Sequence, residues 1–144
     1  MDDRFTLGLI VDGHHLHDDV VRLVFAIAGD RVALVSDATA AAGTAGTPIE
    51  LGGVPVQRLD DGSVRRADGT LGGSAISLDE AVRRCMAMGL PPDLVLTAAA
   101  TVPAAGLGLA DVGVISPGSR ADLVKWDDTW HVGQVIVGGR ALRP

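Results

Sequence analysis

Three short stretches of this chain carry groups able to do chemistry. The first is Asp12-Gly13-His14-His15, which follows the apolar run Leu7-Gly8-Leu9-Ile10-Val11. The second is Asp37, which ends the run Val32-Ala33-Leu34-Val35-Ser36. The third is Leu71-Gly72-Gly73, entered through Asp68-Gly69-Thr70. A carboxylate or an imidazole held at a fixed place moves protons and binds polar substrate groups near neutral pH. Glycines let a ligand come close to the backbone.

Asp37 is the leading candidate for proton transfer. The competing reading is an Asp that only stabilises the turn after it. His15 reads as a substrate contact, or else as a histidine satisfied by a backbone carbonyl. His14, His15 and His17 form a His-His-x-His cluster, but so tight a spacing on a loop is poor for a preformed tetrahedral zinc. Arg65 and Arg66 read as a solvated hairpin face rather than as phosphate binders. Cys85 falls on the apolar face of an expected helix and reads as packing. His131, Trp126 and Trp130 read as structural.

These groups need elements to hold them. Both apolar runs predict strands buried on both faces and opening into polar loops at their carboxyl ends. Val20, Val21, Leu23, Val24, Ile27 and Ala28 recur at helical spacing between them. Asp18 and Asp19 favour the positive end of that helix, and Gly29 is expected as its left-handed terminator. The result is a βαβ unit, and α/β folds build their sites at the carboxyl ends of such strands.

Residues 38–48 read as a small-residue loop with freedom to move. Ile49 to Leu59 reads as a hairpin turned at Gly52-Gly53, and Val64-Arg65-Arg66 as a further short strand. Ser77-Leu78-Asp79-Glu80 is a capping box opening a helix over 78–88. Pro92-Asp93 starts another helix through Ala100, or as far as Ala105, with Pro103 near its end or kinking it. The tail reads as strands 121–126 and 132–137, with a Gly138-Gly139 turn into Arg140-Ala141-Leu142.

Composition sets bounds. The chain has 144 residues, 47% hydrophobic, with two Phe, two Trp and no Tyr, so its core must be aliphatic. A net charge of −6 disfavours nucleic acid and anionic membranes as partners. It leaves room for a small anionic substrate. One cysteine excludes an internal disulfide and fits a reducing cytoplasm. No apolar run approaches the ~20 residues of a membrane span.

Taken together and in order, Gly8-Leu9-Ile10-Val11-Asp12-Gly13-His14-His15, Leu34-Val35-Ser36-Asp37-Ala38-Thr39, Asp68-Gly69-Thr70-Leu71-Gly72-Gly73-Ser74 and Gly118-Ser119-Arg120-Ala121-Asp122-Leu123-Val124 resemble the N-acetylglucosamine-6-phosphate deacetylases of the amidohydrolase superfamily. The resemblance spans about residues 7 to 142. It implies an α/β fold: the C-terminal portion of a metal-dependent (β/α)₈ barrel, about strands six to eight, plus part of a small β-sandwich. Residues 1–110 would be partial barrel with the hairpin inserted at about 48–67, and 111–144 would be sandwich strands.

The same resemblance implies the chemistry: hydrolysis of the acetamide of N-acetylglucosamine 6-phosphate. Asp37 would take a proton from metal-bound water and return it to the leaving amine. Asp12, Gly13, His14 and His15 would contact substrate, with His15 helping to polarise the acetyl carbonyl. Leu71, Gly72 and Gly73 would line the sugar. A divalent metal, zinc or similar, is expected for the complete enzyme. Its ligands, one Glu and two His, match no residues here, and a whole barrel takes roughly 250 residues. The expectation is therefore a chain inactive alone. Its partners would be the phosphosugar, together with a second copy or a missing N-terminal half. The alternative is a non-catalytic piece that associates through open barrel edges.

Overall fold

The computed structural model describes residues 4–44 and 47–142. The two apolar runs pair as the sequence predicts. β1 (Leu7–Ile10) and β2 (Val32–Val35) are parallel, with Leu7 opposite Val32 and Ile10 opposite Val35. Between them runs α1 (Asp18–Ala28), which buries Val21, Phe25 and Ala28 along one stripe. The His17 ring caps it by accepting the Asp19 amide.

Burial is one-sided at Gly8-Leu9 in β1, where only Leu9 is buried, but two-sided across β2, where Val32, Ala33 and Leu34 are all buried and Val35 is exposed. Leu9, Val11, Val32 and Leu34 enter the main core. Gly29 also departs from expectation. Its φ of −56° is right-handed, because the chain continues into a 3₁₀ turn, Gly29–Arg31, instead of reversing. The glycine serves packing there: a Cβ would sit 3.3 Å from the Leu94 side chain.

After β2 the chain makes an antiparallel three-stranded excursion, β3 (Ile49–Leu51), β4 (Val54–Arg58) and β5 (Val64–Arg65). Of the expected loop 38–48, Ala45 and Gly46 lie outside the described residues. The part before them is a packed turn and not a free one. Ala41 is fully buried with Val56 and Val64 in a second small core, and Thr39 and Thr44 hydroxyls bond its backbone. The expected strand end at 70–74 amounts to single bridges: Ser74 pairs in parallel with Ala38, and Leu71 antiparallel with Arg65.

α2 (Leu78–Ala87) then packs back on the main core through Ala81, Val82 and Cys85. Its capping box does not close. Ser77 makes no side-chain cap bond to the helix backbone, and its hydroxyl bonds the Asp79 carboxylate instead. Glu80 is drawn to Arg83, with which it pairs closely.

The next helical stretch is continuous but not uniform. α3 (Pro92–Leu96) widens into a π turn, Thr97–Thr101, before α4 (Val102–Gly106). Pro103 brings no N–H to the ladder, and a π turn just before it relieves the clash of its ring with the preceding turn.

The tail forms its own antiparallel sheet, β6 (Leu123–Trp126), β7 (Val132–Val137) and β8 (Arg140–Ala141). It is tied to the rest through Trp126, which packs on the main core and against Trp130 with ring centroids 6.3 Å apart.

Candidate active site

Asp37 stands one residue beyond Ser36, where β2 has run out into polar loop. It is one of two described non-glycine residues with positive φ, at 49°. That conformation costs roughly 1–2 kcal/mol for an L-residue and persists only where its surroundings fix it. They do so here. The Ser74 amide donates to the Asp37 carbonyl at 2.9 Å, and the Thr39 amide donates to the Ser74 carbonyl at 2.9 Å. The returning strand thus clamps the residue on either side of the bridge.

The carboxylate opens on a cavity of about 250 Å³ lined by Asp37, Thr39, Val54, Val56, Arg66 and the Leu71-Gly72-Gly73 bend, with Leu51. Gly73 has φ +99°, and a Cβ on it would lie 2.5 Å from Thr39 Cγ2 and 3.5 Å from Asp37 Oδ2. A glycine is required here by conformation and by space together. Asp37 and residues 71–73 thus stand around one space.

The Asp12 loop lies elsewhere. Asp12 and His14 line a second cavity, of about 330 Å³, with Arg58, Asp61, Ser74, Glu80 and Arg84 among its walls. His15 is not among the residues lining either cavity. Gly73 lines the first space and Ser74 the second.

Within the loop the Asp12 carboxylate is only 5% exposed. Its Oδ1 accepts the amides of His14 at 2.9 Å and His15 at 3.0 Å, and its Oδ2 meets His15 Nδ1 at 2.8 Å. Burial alone would raise its pKa. The backbone amides of His15 and His14, with the His15 ring, outweigh that and hold it below the ordinary carboxylate value. The His14 ring turns away, with Nε2 3.2 Å from the Asp61 carbonyl. Gly13 has φ +82°, and a Cβ there would lie 2.4 Å from Arg84 Nη1. Arg84 Nε is shielded from solvent with no hydrogen-bond partner, its ion pair with Glu80 being long at 3.8 Å.

Arginine placement was only half legible. Arg65 is structural, bonding Ser63 Oγ at 3.1 Å and the Gly69 carbonyl at 2.7 Å. Arg66, the next residue and just past the end of β5, lines the Asp37 cavity. Thr39 was also missed as a wall of the same cavity. Among the described residues no group of three or more His, Cys, Asp or Glu converges to hold a metal ion.

The amidohydrolase family matches residues 7–142, nearly the whole chain. The chain belongs to the amidohydrolase family. This amidohydrolase is 39% identical over 141 residues to an N-acetylgalactosamine-6-phosphate deacetylase of Escherichia coli O157:H7, covering 96% of itself and 37% of that relative. A shorter relative from Escherichia coli K12, which carries the same name provisionally, is also 39% identical over 141 residues, with 96% and 84% covered. The solved N-acetylglucosamine-6-phosphate deacetylase of Pasteurella multocida superposes with a TM-score of 0.91 at 33% identity, over 99% of this chain and 38% of that one. The resemblance carried by the motifs therefore holds. The amidohydrolase spans little more than a third of the O157:H7 and Pasteurella proteins and most of the K12 one.

Proposed function

We propose that this chain supplies part of the active site of a deacetylase acting on an N-acetylhexosamine 6-phosphate. One observation carries the reading: Asp37 and the Leu71-Gly72-Gly73 bend wall the same cavity. Its volume of about 250 Å³ is below the roughly 300–1,000 Å³ of sites that enclose a whole ligand. That size suits part of a hexosamine 6-phosphate and leaves the remainder to other polypeptide. N-Acetylglucosamine 6-phosphate is the substrate expected from the motifs. The names of the relatives divide between the glucosamine and galactosamine epimers, so both belong in the test.

In this reading Asp37 handles the proton. Amide hydrolysis adds water across the C–N bond, leaving acetate and a free amine. The carboxylate accepts a proton from the attacking water and delivers it to the departing nitrogen, ending unchanged. Leu71, Gly72 and Gly73 offer backbone to the sugar, and Arg66 offers charge to its phosphate. Asp12, Gly13, His14 and His15 form the neighbouring loop through which the rest of the sugar would be met. A divalent metal, zinc or similar, belongs to the family's chemistry, and the described residues do not themselves gather three or more His, Cys, Asp or Glu to hold one. The barrel share comprises β1, β2 and the bridge at Ser74, and the tail sheet corresponds to the sandwich share. The setting is the cytoplasm.

The test has two arms. The isolated chain, given divalent metal and either epimer, releases no acetate above background. A chimera in which this chain replaces the matching stretch of the Pasteurella relative does release it, and Asp37→Asn lowers that turnover by about 10²–10⁴-fold. Undiminished turnover in the Asp37→Asn chimera would sink the assignment.

A second reading is supported by the surface. Val20, Leu23 and Ile27 form an exposed apolar stripe on α1, opposite its buried one, with Leu23 59% exposed. Among the described residues, β1 and β2 pair only with each other as strands. Open parallel edges invite association. A dimer, or a complex with a polypeptide completing the barrel, covers them; a monodisperse monomer in size-exclusion chromatography argues against this.

A further inference from the structure

Three histidines crowd one loop, and their ring nitrogens are not equivalent. His17 Nδ1 accepts the Asp19 amide at 3.2 Å, so its proton must sit on Nε2. His14 Nε2 faces the Asp61 carbonyl at 3.2 Å, and a carbonyl only accepts, so that nitrogen carries a proton too. His15 is the opposite case. Its Nδ1 lies 2.8 Å from Asp12 Oδ2, and an ionised carboxylate only accepts. The proton of His15 therefore sits on Nδ1.

We infer that Asp12 is a positioning residue: it holds His15 as the Nδ1–H tautomer and so presents Nε2 as a hydrogen-bond acceptor, complementary to a ligand hydroxyl. Asp12 is well built for this. Its other oxygen is fixed by the amides of His14 and His15, so the carboxylate cannot rotate. Its 5% exposure keeps water from competing for the ring. Gly13 at φ +82° lets the backbone turn tightly enough for both amides to reach one oxygen.

A consequence separates two roles for His15. A neutral ring with its proton on Nδ1 cannot donate from Nε2 to an acetyl carbonyl, because both would be acceptors. It takes a sugar hydroxyl instead. A carbonyl is met only after the ring gains a second proton. The tautomer follows from geometry alone. Its use on a sugar rests on the deacetylase reading, and the experiment below does not depend on turnover.

Long-range proton–nitrogen correlation spectra of the ¹⁵N-histidine-labelled chain, taken at about pH 8, report the tautomer of each ring. His15 shows the Nδ1–H pattern and His17 the Nε2–H pattern within one sample. In Asp12→Asn the amide oxygen stays with the two backbone N–H groups, and the amide NH₂ then faces His15 Nδ1. The ring must accept there, and its proton moves to Nε2. A merely structural Asp12 leaves the tautomer unchanged. The inference is overturned if unaltered His15 is Nε2–H, or if it stays Nδ1–H in folded Asp12→Asn. Should that variant not fold, the tautomer of the unaltered chain decides.

Discussion

The backbone of Ser74 grips the backbone of Asp37. The Ser74 amide donates to the Asp37 carbonyl at 2.9 Å, and the two residues are 37 positions apart in sequence only by way of the β3–β5 excursion. This clamp aims the candidate proton-transfer group, because it fixes a non-glycine residue at φ 49°. Its weak point is Gly73.

Gly73→Ala is expected to destabilise the chain by about 1–3 kcal/mol, from left-handed strain and a collision with Thr39. The added Cβ lands 2.5 Å from Thr39 Cγ2. Thr39→Ser removes that methyl, so the double variant recovers the steric share and keeps the strain. Thermal unfolding of the four chains reads this out. Additive losses would show that the two residues do not touch.

Asp12 shapes the acid limb of stability. Its carboxyl is held below its ordinary value of 3.8. A depressed carboxyl contributes stability that is fully present above the unfolded value and disappears as pH falls through the folded one. Asp12→Asn therefore lowers the urea midpoint at pH 7, and the gap to the unaltered chain narrows below about pH 3.8. Asp79, lowered by the Ser77 hydroxyl and Arg83, leaves a residual slope. A gap independent of pH would refute the linkage.

Cys85 is fully buried, and burial pushes its thiol up to about 12. Since the thiolate is the reactive form, a thiol reagent at pH 8 should label the native chain only through unfolding. Labelling then accelerates in parallel with urea-induced loss of structure. Cys85→Ser buries a hydroxyl among Val82, Leu9 and Val95, at a cost of about 1–3 kcal/mol. Rapid labelling in native buffer would contradict the packing role.

Arg65 and Arg66 should separate cleanly by assay. Arg65→Ala loses bonds to Ser63 and Gly69 and destabilises the hairpin by about 1 kcal/mol. Arg66→Ala, at an exposed position, changes stability by less than about 0.5 kcal/mol. It should instead weaken binding of glucosamine 6-phosphate more than that of glucosamine. Titration calorimetry against both ligands checks this, and equal losses would remove Arg66 from phosphate recognition.

The sequence by itself determined the local elements and the chemical candidates. Apolar runs ending in Asp12 and Asp37 specify strands that open into polar loops. Apolar residues at helical spacing specify α1, although Val20, Leu23 and Ile27 of the expected buried stripe are exposed and Phe25, outside it, is buried with Val21 and Ala28; Gly52-Gly53 specifies the turn of β3 into β4. Each depends on neighbours within a few residues. Tertiary structure alone decided what faces what. It made Gly29 right-handed through contact with Leu94, and left Ser77 unable to cap α2. It put Asp37 with the 71–73 bend around one cavity and Asp12 and His14 with Ser74 around another. It bonded the Asp12 carboxylate to the His15 ring and to the amides of His14 and His15. These outcomes depend on contacts such as Asp37 with Ser74 and Gly13 with Arg84. Such contacts join residues distant in the chain, whose pairing no local pattern specifies.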